Sequence, residues 1–246
     1  MFEAGVQYGH KNQFDNPAMR PYIHQTKNGM RIIDVVQSAD RLVKALEFVK
    51  SVAKDNKQIL FVGTKNKVSP LVKRYAAACN MPSVDVRWFG GTLTNYMVVR
   101  QSVKRLEALL LQERENDFAH LIKKERAKQI HSITKLLKKV GGMRIMRGLP
   151  SALFIVDVRS EANAVREANA LGIPVIAIVD SNSSPIGIDY MIPGNDDSSK
   201  AIKLYLSSVS DAINEVRHAS VTIDEAKTAD ADVNEPAAQA DKTKDN

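Results

Sequence analysis

Three residues in this chain stand where phosphate chemistry could be done. Lys65, Asp157 and Asp180 each follow a short apolar run, in "ILFVGTK", "LFIVDV" and "VIAIVDSN". Ligands of open parallel sheets collect at the carboxyl ends of strands, so a lysine and two aspartates there could hold a magnesium ion and a phosphoryl group. That reading would make the chain a phosphate- or nucleotide-handling α/β enzyme. The surrounding motifs are incomplete for it. "GTKNK" lacks the upstream glycine of GxxxxGK[ST], and no GxGxxG follows any strand. In the plainer reading "DVRSEA" and "DSNSSP" are turns whose aspartates bond local backbone and cap the next helix. The five histidines, His10, His24, His120, His131 and His218, include no pair at zinc-ligand spacing, so neither a metal site nor a cofactor is expected. "GHKNQFDNP" sets a histidine near an aspartate, but no serine or cysteine nucleophile accompanies them. Cys79, the only cysteine, reads as a small buried apolar residue and excludes an intrachain disulfide. No catalytic residue is assigned.

Binding is the other chemistry on offer. The formal charge is +7; seven acids and three lysines from Val221 onward give −4 there, leaving +11 on the rest. A basic body with an acidic, alanine-rich tail fits a polyanion-binding domain followed by a disordered segment. In the first thirty or so residues Lys11, Arg20, Lys27 and Arg31 are interleaved with Tyr8, Phe14 and Tyr22. Charges of that kind meet phosphates while rings and guanidinium planes stack on exposed bases, although the aromatics could equally pack a loop onto the domain. "RWFGGTLTN" (87–95) has the same two readings. Gly90 and Gly91 let backbone approach a partner or make a turn, with Trp88 and Phe89 half-buried and Thr94 and Asn95 opening a helix. The candidate RNA contacts are Lys11, Arg20, Lys27, Arg31, Arg87, Trp88, Asn95, Arg100 and Lys104.

The elements that position these residues alternate. Apolar runs at 58–63, 152–157 and 173–180 suit strands buried on both faces, with further strands near 83–87 and 188–192. Helical stretches at 40–54, 65–79 and 160–171 lie between them, and a last helix over 197–217 starts after Asn195 or Asp196 and ends near Arg217 and His218. The pattern predicts an α/β domain with a doubly wound sheet of five strands. From 96 to 140 two stripes, Val99, Val103, Leu106, Leu110 and Ile130, Ile133, Leu137, Val140, predict an antiparallel coiled-coil hairpin turning at Asn116 and Asp117. Each arm would project roughly 30 Å. Glycines 141, 142 and 148 with Pro150 return the chain to the sheet. The expected organisation is therefore 1–95 as the first part of the α/β domain with an amino-terminal extension, 96–140 as the hairpin, 141–219 as the second part, and 220–246 as an acidic disordered tail. No apolar run spans a membrane, and "MFEAGVQYGHKNQ" has no signal-peptide or transit character, so a cytoplasm-like compartment is expected.

Several segments together resemble one family: "FEAGVQYGHK", "NPAMRPYI", "NGMRIID", "ILFVGTK", "RWFGGTLTN" with "RQSVKRLE", "GLPSALFIVDV", "EANALGIPVIAIVDSN" and "IDYMIPGNDD" with "AIKLYLS". In this order they are similar to the small-subunit ribosomal protein S2 family in its bacterial or organellar form. The resemblance implies a flavodoxin-like fold with an inserted coiled-coil hairpin and no enzymatic activity. It also implies a cytoplasmic, ribosomal location on the solvent side of the small subunit, between head and body. The implied partners are small-subunit ribosomal RNA and neighbouring ribosomal proteins, including the large mRNA-binding protein S1; no membrane is implied. Ser184 stands where the family often has aspartate, which makes that turn a poorer ion site.

Overall fold

Strands β4 (Ile59–Val62), β6 (Ala152–Val156) and β7 (Val175–Val179) are buried along their whole length. Runs without polar alternation require this, because both faces of the sheet are covered. Period-two geometry then sorts the side chains. Phe61, Phe154, Ile176 and Ile178 enter one buried cluster, with α1 (Val35–Lys54), α2 (Ser69–Ala78) and α6 (Ser199–Asp232). Leu60, Leu153, Ile155 and Ala177 enter the other, with α3 (Tyr96–Arg114), α4 (Lys123–Val140) and α5 (Ala162–Ala170). The computed structural model describes residues 1–115 and 121–232, the backbone alone over 220–232. The turn expected at Asn116 and Asp117 and the end of the chain from 233 lie outside the described residues.

With β5 (Ser83–Val84) and β8 (Tyr190–Pro193) the sheet has five parallel strands in the order β5-β4-β6-β7-β8. Numbered by appearance that is 2-1-3-4-5, the flavodoxin-type order, whose switch point lies between β4 and β6. The edge strand β5 is shorter than expected. Among the described residues no helix is long and apolar enough to cross a membrane.

The first 34 residues, expected as a non-periodic extension, instead carry a second sheet. β1 (Tyr8–Lys11), β3 (Met30–Ile33) and β2 (Ile23–Lys27) pair antiparallel in that order. Asn28 and Gly29 both have positive φ, 51° and 74°, and join β2 to β3 as a two-residue hairpin. This small sheet is fastened to the carboxyl edge of the large one. Asn16 N donates to the Ser181 carbonyl (2.9 Å), His10 N to Ser181 Oγ (2.8 Å), and Asn195 N to the Val6 carbonyl (3.1 Å). Gly9 allows the approach: a Cβ there would stand 2.8 Å from Ser181 Oγ.

Two further expectations need correction. In α4, Ile133 and Val140 are buried and Leu136 half-buried, while Ile130 and Leu137 are exposed, so the inward stripe steps 133, 136, 140 rather than 130, 133, 137, 140. The 3.6-residue period favours that choice once the helix also packs on the shared cluster. The last helix passes the expected end near Arg217 and His218 and runs to Asp232. No glycine or proline interrupts 219–235, and its alanines favour helix. Its start was legible: Asn195 Oδ1 accepts from Asp197 N (2.8 Å) and Ser198 N (2.9 Å).

Candidate functional site

The loop 87–95 is organised by one carboxylate from α5. Glu167 Oε1 accepts from Trp88 Nε1 and Gly91 N, both at 2.9 Å, and its Oε2 accepts from Leu93 N (3.0 Å), Thr94 N (3.2 Å) and Thr94 Oγ1 (3.3 Å). Gly91 supplies the left-handed turn, φ 88°, that aims successive N–H groups at one point. Burial works to raise the Glu167 pKa, but the bonds from Trp88 and the loop amides hold it below the usual carboxylate value. Sequence reasoning missed Glu167, because nothing local distinguishes one glutamate in "EANAVREANA". It also placed Trp88 wrongly. The indole is 7% exposed, not half-buried, and its N–H is committed to Glu167, so it is a scaffold residue and not a free stacking platform.

The basic candidates fall into separate groups. Across the amino-terminal sheet Lys11 and Lys27 both pair with Met30, one on each side, so the three share a row and a face. All three are exposed. Arg31 belongs to the next row, opposite Thr26; its guanidinium donates to Asp15 Oδ2 and to Thr26 Oγ1, each at 2.7 Å, which ties it to the small sheet. Arg20 is exposed on a 3-10 turn, Pro17–Tyr22, and Arg87 is exposed before the Glu167-bound loop. On α3, Asn95 and Lys104 are exposed; Asn95 holds the cap position without making a side-chain capping bond. Arg100 is half-buried and donates to the Met146 carbonyl (3.2 Å).

Lys65 and Asp157 meet at the switch point, and Asp180, at the end of β7, joins their cluster through His10 and Asp196, in company the sequence did not indicate. Lys65 Nζ lies 2.9 Å from Asp157 Oδ2, 3.0 Å from Asp197 Oδ1 and 3.5 Å from Asp196 Oδ1. His10, brought in by β1, stands between Asp180 (Nδ1 to Oδ2, 3.2 Å) and Asp197 (Nε2 to Oδ2, 3.2 Å). Asp157 also accepts from Arg159 N (3.1 Å) and Ser160 N (3.3 Å), so the turn reading of "DVRSEA" holds for it. The bond to Asp180 and the nearby carboxylates raise the His10 pKa despite its burial. Burial, then the charges of Asp180 and Asp157, push Asp196 up to about 7. Four carboxylates thus face one ammonium and one imidazole. Such a pocket repels phosphate, and its lysine is already committed, so phosphoryl chemistry is poorly served here.

The architecture is that of an α/β protein with a flavodoxin-type sheet and an added antiparallel sheet, and the exposed candidate cations sit on that small sheet, on the 3-10 turn between β1 and β2, on the loop before α3 and on α3 itself. Residues 1–216 match the ribosomal protein S2 family, and the chain belongs to that family of small-subunit ribosomal proteins.

Proposed function

We propose that this protein is a structural constituent of the small ribosomal subunit that binds ribosomal RNA directly, with Lys11, Arg20, Lys27, Arg87, Asn95 and Lys104 as its contacts. Arg31 and Arg100 join them through the donors left by their internal bonds. The family match is the observation that carries this reading, and the Lys11–Met30–Lys27 row gives it a surface: two ammonium groups flank an apolar side chain on an exposed sheet face. In the same reading α3 and α4 form an antiparallel coiled-coil hairpin inserted between the two parts of the α/β domain, 1–95 and 141–219. Met97, Val98, Leu111, Ile122, Ile130 and Leu137 are exposed on and beside these helices, which suits contact with neighbouring ribosomal proteins, S1 among them. The carboxyl edge serves as structure and not as a catalytic site.

The double variant Lys11→Ala with Lys27→Ala tests the surface. Binding of the purified chain to small-subunit ribosomal RNA should weaken, and the slope of log K against log salt should fall by about two, one for each lost phosphate contact. An unchanged slope would remove this row from the interface.

A further inference from the structure

The edge of the large sheet opposite the aspartate cluster carries the reverse charge. Gln58 and Asn80 precede β4 and β5 at this amino edge, and beside them four guanidinium groups line two adjoining hollows of about 380 and 360 Å³. Arg100 comes from α3, Arg217 from α6, and Arg144 and Arg147 from the loop that follows a 3-10 turn, Gly141–Met143. Glu107 is the one acid lining either hollow.

The loop with two of these arginines is clamped from both sides. Gln58 Nε2 donates to the Ile145 carbonyl (2.9 Å), and Gln58 Oε1 accepts from Arg147 N (3.0 Å). From α3, Arg100 (3.2 Å) and the Tyr96 hydroxyl (3.4 Å) donate to the Met146 carbonyl, and the Met146 side chain is buried in the core. Arg217 donates to the Cys79 carbonyl, which fixes it beside Asn80. The backbone of 145–147 is therefore held, while the guanidinium groups of Arg144 and Arg147 are exposed and make no hydrogen bond or ion pair among the described residues. Gathering like charges costs free energy that a bound anion offsets, and the donor fork of a guanidinium matches phosphate oxygens.

We propose that this amino edge is a second RNA site, in which Arg144 and Arg147 bind backbone phosphates and the charges of Arg100 and Arg217 add to the field that draws them in. The inference rests on the reading of the chain as an RNA-binding protein, and it adds a surface away from the Lys11–Met30–Lys27 row, which belongs to the sheet fastened at the carboxyl edge. Contacts of this kind set position and carry no base preference. Sequence reading passes over "MRIMRGLP" because its arginines lie in a loop without periodicity and Arg100 and Arg217 reach it from distant helices.

The test uses the full chain with Arg144→Gln and Arg147→Gln together, since glutamine removes the charge and stays polar. Affinity for small-subunit ribosomal RNA should fall by about tenfold or more at about 0.1 M salt, and the slope of log K against log salt should drop by about two. The denaturation midpoint should not move, because neither guanidinium bonds to the rest of the described chain. Combined with Lys11→Ala and Lys27→Ala, the loss of slope should reach about four, as separate surfaces act independently. A slope unchanged by the arginine pair but lowered by the lysine pair would overturn this proposal alone and leave ribosomal RNA binding standing. A native chain that binds no ribosomal RNA would overturn both. Pyrophosphate, titrated at matched ionic strength in a calorimeter, separates the two sources of phosphate. The native chain should take up no equivalent of it; one equivalent bound, and lost in the arginine variant, would assign the cleft to a free polyphosphate and overturn RNA as its ligand.

Discussion

Glu167→Ala is expected to cost about 2–4 kcal/mol of stability, because five donors, among them an indole N–H and three backbone amides, lose one shared charged acceptor. Trp88 is the chain's only tryptophan, so its fluorescence reports the event directly. Emission should shift to the red as the loop 87–95 opens, and the denaturation midpoint should fall with it. Glu167→Gln keeps an acceptor oxygen and should lie between native and alanine variant. The pH dependence has a definite sign. The folded-state pKa of Glu167 is depressed, so its stabilisation is fully present above the ordinary glutamate value and is lost as pH falls through the lower folded value. A fluorescence titration should show the Trp88 transition below the usual glutamate range, and Glu167→Gln should abolish it. A transition unchanged in Glu167→Gln would refute the role of this carboxylate.

Gly142→Ala is the second substitution with a large expected effect. A Cβ at 142 would overlap the backbone carbonyl oxygen of Ser83 in β5 and stand against the Ser83 hydroxyl. Backbone cannot rotate away as a side-chain tip can, so either the edge strand or the end of α4 must move. The cost should be about 3 kcal/mol or more, measured by chemical denaturation, and the packing of α4 beside β5 should be disturbed with it. Gly148→Ala, where an added Cβ meets nothing within 4 Å, serves as the control and should be near neutral. Equal stability of the two variants would contradict the close packing of this junction.

What the sequence made legible follows from how local the signal is. The runs "ILFV", "ALFIV" and "VIAIV" are apolar at every position, and only strands covered on both faces need that, so the parallel sheet and its helices could be read directly. The amino-terminal sheet could not be read from periodicity, because β2 is exposed along most of its length and register shifts break the alternation in both of its ladders. Its one clear signal was Asn28-Gly29, a hairpin dipeptide that periodicity passes over. Long-range electrostatics left no local trace. Glu167 bonds a loop 73 to 79 residues earlier in the chain, and His10 meets aspartates from the far end of the domain. Burial likewise corrects the half-buried reading of Trp88, which is 7% exposed with its N–H on Glu167, since a half-buried and a buried tryptophan look alike in sequence.

The most direct test of the central claim is sedimentation of the tagged full chain from cell lysate, at low salt and again after a high-salt wash. A built-in constituent of the small subunit should travel with small subunits and survive moderate salt, with Lys11→Ala and Lys27→Ala together lowering the salt at which it is released. Migration as a free protein near its own mass of 27.2 kDa in both conditions would contradict the account.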